Sequence, residues 1–132
     1  MMSMMKKRPK PEKPKTLEEL LQLAERDPKL PMITLSQLRE HKETKPIWVC
    51  LKGVVYDVSS NHVYDPKQGY AVFAGECATM ALGTMLFDKV GRQEDWRRLD
   101  REHLECVDEW VWYYEQRYPK VGYLIEEYKR AD

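Results

Sequence analysis

Tyrosine is the residue type whose number and placement stand out in this chain. The 132 residues include eight tyrosines, and Tyr64 and Tyr70 lie in a segment with Pro66 and Gly69, just before a Met- and Leu-rich run. An ionised phenol is a hard anionic donor suited to ferric iron, and tyrosine is one of the protein ligands of haem iron. A second phenol nearby can hydrogen-bond the ligating oxygen. Loop tyrosines more often pack as surface anchors, so on residue type alone a pocket mouth here is a hypothesis.

Other kinds of site chemistry have weak support. The sequence contains no GxSxG, Walker A, GxGxxG or HExxH motif. Its histidines are scattered, with no pair four residues apart, although His62 is a rival axial ligand because imidazole is the commoner haem donor. There is no CxxC, and an odd count of three cysteines suits a reducing compartment. We therefore expect a binding protein rather than an enzyme.

The charge distribution is uneven along the chain. Residues 1–15 carry six Lys or Arg and one Glu, a net +5, so the remainder carries −5. A basic tail on an acidic domain argues against sequence-specific nucleic-acid binding. No apolar run approaches the roughly 20 residues that a membrane helix needs. We expect no transmembrane segment and a cytoplasmic location, with peripheral contact between the tail and an anionic membrane as the alternative.

The elements that must position the tyrosines can be predicted from caps, turns and periodicity. Capping boxes at Thr16 and Thr34 predict a short helix ending at Asp27-Pro28 and a second helix to about His41. The β-branched runs 47–51 and 54–58, separated by Lys52-Gly53, predict a hairpin.

Two further helices and a strand are predicted after a loop over residues 59–75. The first helix runs from about 77 to 87, and the second from Asp100 to Pro119 along the stripe Leu104, Val107, Val111, Tyr114 and Tyr118. Residues 121–125 read as a short strand. The order predicts an α+β fold with a disordered tail over 1–15, a helical extension over 16–31, a domain over 32–125 and a polar tail over 126–132.

The combined tyrosine motifs resemble a known family. The segment Gly69-Tyr70-Ala71-Val72-Phe73-Ala74-Gly75, with Tyr64 before it and Tyr118-Pro119-Lys120-Val121-Gly122 near the end, is similar to the membrane-associated progesterone receptor (MAPR) family. The resemblance implies a cytochrome b5-like haem/steroid-binding fold, in which a small sheet and helical pairs form a pocket for haem b. Ordinary cytochrome b5 has a His-Pro-Gly-Gly motif, which is absent here.

The resemblance also implies roles for individual residues. Tyr70 matches the tyrosine that ligates the iron, and Tyr64 matches the tyrosine that hydrogen-bonds it. Tyr118 matches a tyrosine near the haem, and Arg117 stands where relatives have lysine. We expect Leu82 and Met85 to be apolar pocket residues; Met80 or Met85 as a sixth ligand is a minor alternative. Cys77 departs from the Asp of many relatives.

The function implied by the resemblance is haem binding through a tyrosinate. Its purpose would be support of haem-thiolate monooxygenases or sterol metabolism, with haem, a sterol and such a monooxygenase as partners. One open haem face would also favour a haem-dependent homodimer. The alternatives are a b5-type electron carrier and a haem-independent sterol-binding or interaction module.

Overall fold

A computed structural model of the protein describes residues 26–86 and 96–125. The predicted helix at Thr16 and the predicted tails over 1–15 and 126–132 lie outside the described residues, as does the end of the helix predicted to reach residue 87.

The described residues contain four short strands, Met32–Ile33 (β1), Trp48–Leu51 (β2), Val54–Asp57 (β3) and Lys120–Leu124 (β4). They form one mixed sheet in the order β1-β4-β3-β2. The β2–β3 and β3–β4 pairs are antiparallel and the β1–β4 pair is parallel. The predicted hairpin is confirmed: Lys52 and Gly53 have φ of 53° and 77°, the left-handed values that a tight two-residue hairpin turn requires.

Within residues 26–86 and 96–125, three α-helices accompany the sheet: Leu35–Arg39 (α1), Thr79–Thr84 (α2) and Arg101–Arg117 (α3). Thr34 and Gln37 form the predicted capping box of α1. The Asp100 side chain caps α3 by accepting a hydrogen bond from the backbone N–H of His103 at 3.0 Å. Helix α3 therefore begins and ends where the sequence predicts.

Helix α2 is shorter than the predicted 77–87. It ends at Thr84 because Met85 adopts a left-handed conformation with φ of 58°, which terminates helical hydrogen bonding. Its packing on α3 depends on Gly83: a Cβ atom at Gly83 would lie 2.5 Å from Cγ2 of Val107. The glycine thus lets the two helices approach more closely than any larger residue would.

The core is divided into two clusters by the sheet and the loops. The larger cluster joins the hairpin to α2 and α3 and contains most of the buried aromatic residues; they are Tyr56, Tyr64, Tyr70, Phe73, Trp110, Tyr113, Tyr114 and Tyr118. A smaller cluster contains Ile33, Leu38 and Leu124 together with Cys50, Val55 and Cys77. The tyrosines predicted to act in ligand binding therefore belong to the main core.

Candidate functional site

Two adjoining 3₁₀ turns hold Tyr64 and Tyr70 beside each other. Tyr64 closes the turn His62–Tyr64, and Tyr70 precedes the turn Ala71–Phe73. The backbone N–H of Tyr70 donates a hydrogen bond to the carbonyl of Val63 at 2.7 Å. The Tyr64 and Tyr70 rings pack edge to face with centroids 5.5 Å apart, and the exposed fractions of the two residues are 1% and 2%. This contact brings together the two residues that the resemblance marks as ligand and hydrogen-bond donor.

Asn61 connects this turn to the end of α3. Its Oδ1 accepts a hydrogen bond from the backbone N–H of Val63 at 3.2 Å, and its Nδ2 donates to the hydroxyl of Tyr118 at 2.9 Å. The Tyr64 and Tyr118 rings are 6.1 Å apart. Sequence reasoning did not assign a site role to Asn61, although an asparagine just before a turn is a typical capping residue.

Tyr114 makes a contact that the sequence did not predict. Its hydroxyl lies 2.7 Å from the hydroxyl of Tyr64, and both residues are fully buried. The Tyr114 ring also packs edge to face against Tyr56 and Tyr118, at 5.3 and 5.1 Å between centroids. The helical stripe predicted that Tyr114 would be buried, but not where its hydroxyl would point.

The carboxylate of Glu115 contacts the tyrosine cluster through Tyr56. The Tyr56 hydroxyl donates a hydrogen bond to Glu115 Oε2 at 2.7 Å, and Lys120 Nζ lies 3.2 Å from Glu115 Oε1. Burial, reinforced by the negative charge of Glu115, raises the pKa of Tyr56 well above its usual value of 10.0. This bond ties strand β3 to helix α3 next to Tyr114.

An open groove of about 380 Å³ reaches the cluster on the Tyr118 side. It is lined by residues of the first turn and the end of α3, namely Ser60, Asn61, His62, Val63, Arg117 and Tyr118. The guanidinium of Arg117 lies over the Tyr113 ring, 3.9 Å from its centroid. His62, the rival ligand, has a side chain that is 85% exposed and lies 3.1 Å from Asp65. The lining of the groove therefore includes a cationic side chain, Arg117, and a tyrosine, Tyr118.

The two apolar residues predicted to line the pocket lie in different environments. Leu82 is 1% exposed and belongs to the same cluster as Tyr64 and Tyr70. Met85 follows the last turn of α2, is 44% exposed, and lies outside that cluster. The structure thus brings Leu82 together with the tyrosines and leaves Met85 at the surface, where Leu86 is also exposed.

The chemistry of this site suits an iron porphyrin. A phenol oxygen is in general a hard donor suited to ferric iron, and the side chains around Tyr64 and Tyr70 are aromatic and apolar. Arg117 at the groove can bind a carboxylate. Because Tyr70 is 2% exposed, a haem could reach its oxygen only after neighbouring side chains move aside.

Comparisons with known proteins now decide the family. Residues 34–125 match the family described as "Cytochrome b5-like Heme/Steroid binding domain". The chain belongs to this family. The resemblance to MAPR proteins is confirmed, since membrane steroid-binding protein 2 of Oryza sativa subsp. japonica is 33% identical over 108 residues, covering 81% of this chain and 35% of the rice protein.

Two further relatives support the assignment. Probable steroid-binding protein 3 of Arabidopsis thaliana is 33% identical over 92 residues, covering 69% of this chain and 92% of that protein. A solved structure of an Arabidopsis thaliana protein, described as having a cytochrome b5-like fold, aligns with a TM-score of 0.63 and 28% identity over 76% of this chain and 95% of that chain. The predicted α+β, cytochrome b5-like fold is therefore confirmed.

The family assignment applies to the domain over residues 34–125. The chain spans only about a third of the rice relative, 35% of its length. In residues 26–86 and 96–125, no helix has both the length and the apolar composition needed to cross a membrane.

Proposed function

We propose that this domain binds haem b and that the phenol of Tyr70, once ionised, is the protein ligand of the iron. The observation that carries the proposal is the position of Tyr70, whose ring packs between those of Tyr64 and Phe73 at 5.5 and 5.7 Å between centroids. When bound, the haem would supply a ferric centre whose potential is lowered by an anionic oxygen donor. That preference for the ferric state favours haem binding or sensing over rapid electron transfer.

The other predicted site residues support the ligand in different ways. The ring contact of Tyr64 with Tyr70 supports Tyr64 as the residue that would hydrogen-bond the ligating oxygen when haem is bound, and Asn61 holds Tyr118 in the same cluster. Arg117, at the groove, is suited to a propionate carboxylate. Leu82 supplies apolar surface inside the cluster, and Met85 would supply exposed apolar surface outside it.

Binding in this proposal includes a conformational step. Tyr64 and Tyr70 are almost fully buried, so the turns that carry them must separate from part of the core before the iron is reached. Both turns are short 3₁₀ segments, which depend on few backbone hydrogen bonds. The association rate constant for haem is therefore expected to lie below the diffusion limit, and binding is expected to change the tyrosine fluorescence.

The decisive experiment compares haem titrations of the wild type and Tyr70→Phe. The variant keeps the ring and its packing but loses the ligating oxygen, so we expect at least a tenfold loss of ferric haem affinity and loss of the tyrosinate charge-transfer bands. Tyr123→Phe is the matched control, because Tyr123 is equally buried but accepts a hydrogen bond from Asp27 in another part of the fold. Wild-type affinity and spectrum in Tyr70→Phe would overturn the assignment, and His62→Ala would then be tested.

A steroid is the second candidate ligand, because the matching plant relatives are named as steroid-binding proteins. The aromatic cluster could stack on a sterol as well as on a porphyrin. Titration of the apoprotein with a fluorescent sterol, before and after haem loading, separates the two ligands. Sterol binding with no Soret band after haem addition would favour the haem-independent alternative. A haem-thiolate monooxygenase as partner stays a prediction from the family resemblance.

A further inference from the structure

The hydroxyl pair of Tyr64 and Tyr114 is the buried polar contact in the candidate site that the family resemblance did not assign. The oxygens are 2.7 Å apart, and the two residues come from a 3₁₀ turn and from the last turn of α3. A hydroxyl carries one proton to donate and can accept further hydrogen bonds. If Tyr64 donates its proton towards Tyr70, its oxygen remains able to accept the proton of Tyr114.

We propose that Tyr114 is a positioning residue that acts through Tyr64 on the Tyr70 ligand, by donating a hydrogen bond to the Tyr64 hydroxyl. This inference rests on the proposed haem ligation by Tyr70. The order of donation is Tyr114 to Tyr64 to Tyr70, so every proton points towards the oxygen that carries negative charge. Accepting a hydrogen bond polarises the Tyr64 hydroxyl and makes it a stronger donor.

The packing around Tyr114 fixes the position of its ring, and either hydroxyl can donate in the 2.7 Å contact until Tyr64 donates to a ligating Tyr70. Its ring is held edge to face by Tyr56 and Tyr118, and the Tyr56 hydroxyl is itself directed to Glu115. Tyr114 is 0% exposed, so water does not compete for its hydroxyl. Helix α3 thereby holds the Tyr114 hydroxyl in place beside the turn that carries Tyr64.

The hydrogen bond to the ligating phenolate affects ferrous and ferric haem to different extents. A hydrogen bond stabilises the phenolate most when the iron neutralises least of its negative charge. Ferrous iron carries less positive charge than ferric iron, so the hydrogen bond favours ligation of ferrous iron more than of ferric iron. Loss of the Tyr114 donor should therefore weaken haem binding in both states and lower the reduction potential. Partners of metal ligands typically contribute 10- to 100-fold to affinity, so we expect about a tenfold loss of ferric affinity in Tyr114→Phe.

The test is a redox and haem titration of Tyr114→Phe, Tyr64→Phe and the double variant, with Tyr123→Phe as control. If the ferrous affinity falls tenfold further than the ferric affinity, the potential moves by about −59 mV. Because Tyr114 acts through Tyr64, the Tyr114→Phe change should have no further effect on potential in the Tyr64→Phe background. A wild-type potential in Tyr114→Phe, or an additive shift in the double variant, would overturn the inference.

Two results separate this inference from the proposed function. If Tyr70→Phe leaves haem binding unchanged, the ligand assignment is refuted. If haem binding depends on Tyr70 but not on Tyr114, only the positioning role of Tyr114 is refuted. If Tyr114→Phe does not unfold cooperatively, replacement of Tyr114 by 3-fluorotyrosine keeps the ring and strengthens the donor. The reduction potential should then rise above that of the wild type, and an unchanged reduction potential in that protein contradicts the positioning role of Tyr114.

Discussion

The bond between Tyr56 and Glu115 offers a stability measurement with a predicted magnitude and pH dependence. Tyr56→Phe removes a partly buried 2.7 Å hydrogen bond to a carboxylate and leaves Glu115 with Lys120 at 3.2 Å. Hydrogen bonds to charged groups contribute about 1.5–3 kcal/mol, so we expect the free energy of unfolding to fall by about 2 kcal/mol at pH 8. For a chain of this size that corresponds to a decrease of about 8 °C in melting temperature.

The difference in the free energy of unfolding between the wild type and Tyr56→Phe should become smaller at high pH. Burial and the Glu115 charge raise the pKa of Tyr56 in the folded state well above 10.0. Its stabilising contribution is complete below the unfolded pKa of about 10 and is lost as the pH rises towards the folded pKa, because the unfolded chain releases the proton first. With an unfolded pKa of about 10, the wild type loses about 1.4 kcal/mol between pH 8 and 11 through this residue, and Tyr56→Phe does not.

Urea unfolding of both proteins at pH 8, 9, 10 and 11 measures this narrowing. The stability gap should shrink from about 2 to about 0.6 kcal/mol across the series. Glu115→Gln is the companion background: Tyr56 would then donate to a neutral amide, and Tyr56→Phe should cost only about 1 kcal/mol at pH 8. A gap that stays constant from pH 8 to 11 would refute the argument that Tyr56 stays protonated in the folded state.

Three other predictions follow from the fold and the sequence. Gly83→Ala should lower the free energy of unfolding by about 1–3 kcal/mol because its Cβ meets Val107, and Val107→Ala in the same chain should restore part of the loss in urea unfolding. Deletion of residues 1–15 should leave the melting temperature and haem affinity unchanged; a large decrease would show that the tail docks on the acidic domain. Ferric haem should increase the sedimentation coefficient at equal protein concentration through a haem-dependent homodimer, and identical monomeric sedimentation with and without haem would refute that association.

Local signals accounted for the elements of this fold that carry the site. The Lys52-Gly53 turn and the Asp100 cap are encoded by adjacent residues, so the hairpin and α3 could be predicted from sequence. Tyr64 and Tyr70 were singled out because they share one loop, and their roles as ligand and hydrogen-bond donor stay predictions from the family resemblance.

Contacts between distant segments could not be predicted in the same way. The Tyr64–Tyr114 contact joins residues 50 positions apart, and nothing in the spacing of either segment indicates it. The end of α2 depends on a left-handed Met85, a conformation that methionine does not favour, so the longer predicted helix was wrong. Strand β1 is too short to have a pattern of its own and exists because β4 offers an edge to pair with.

The parallel pairing of β1 with β4 has a mechanical consequence. Met32 lies beside Tyr123 and Ile33 beside Leu124, so the chain enters and leaves the sheet through neighbouring strands. Tension between the preceding and following segments would pull these two strands past each other along their length. Because β1 has only two residues, it would separate from β4 before the longer strands of the sheet separate from each other.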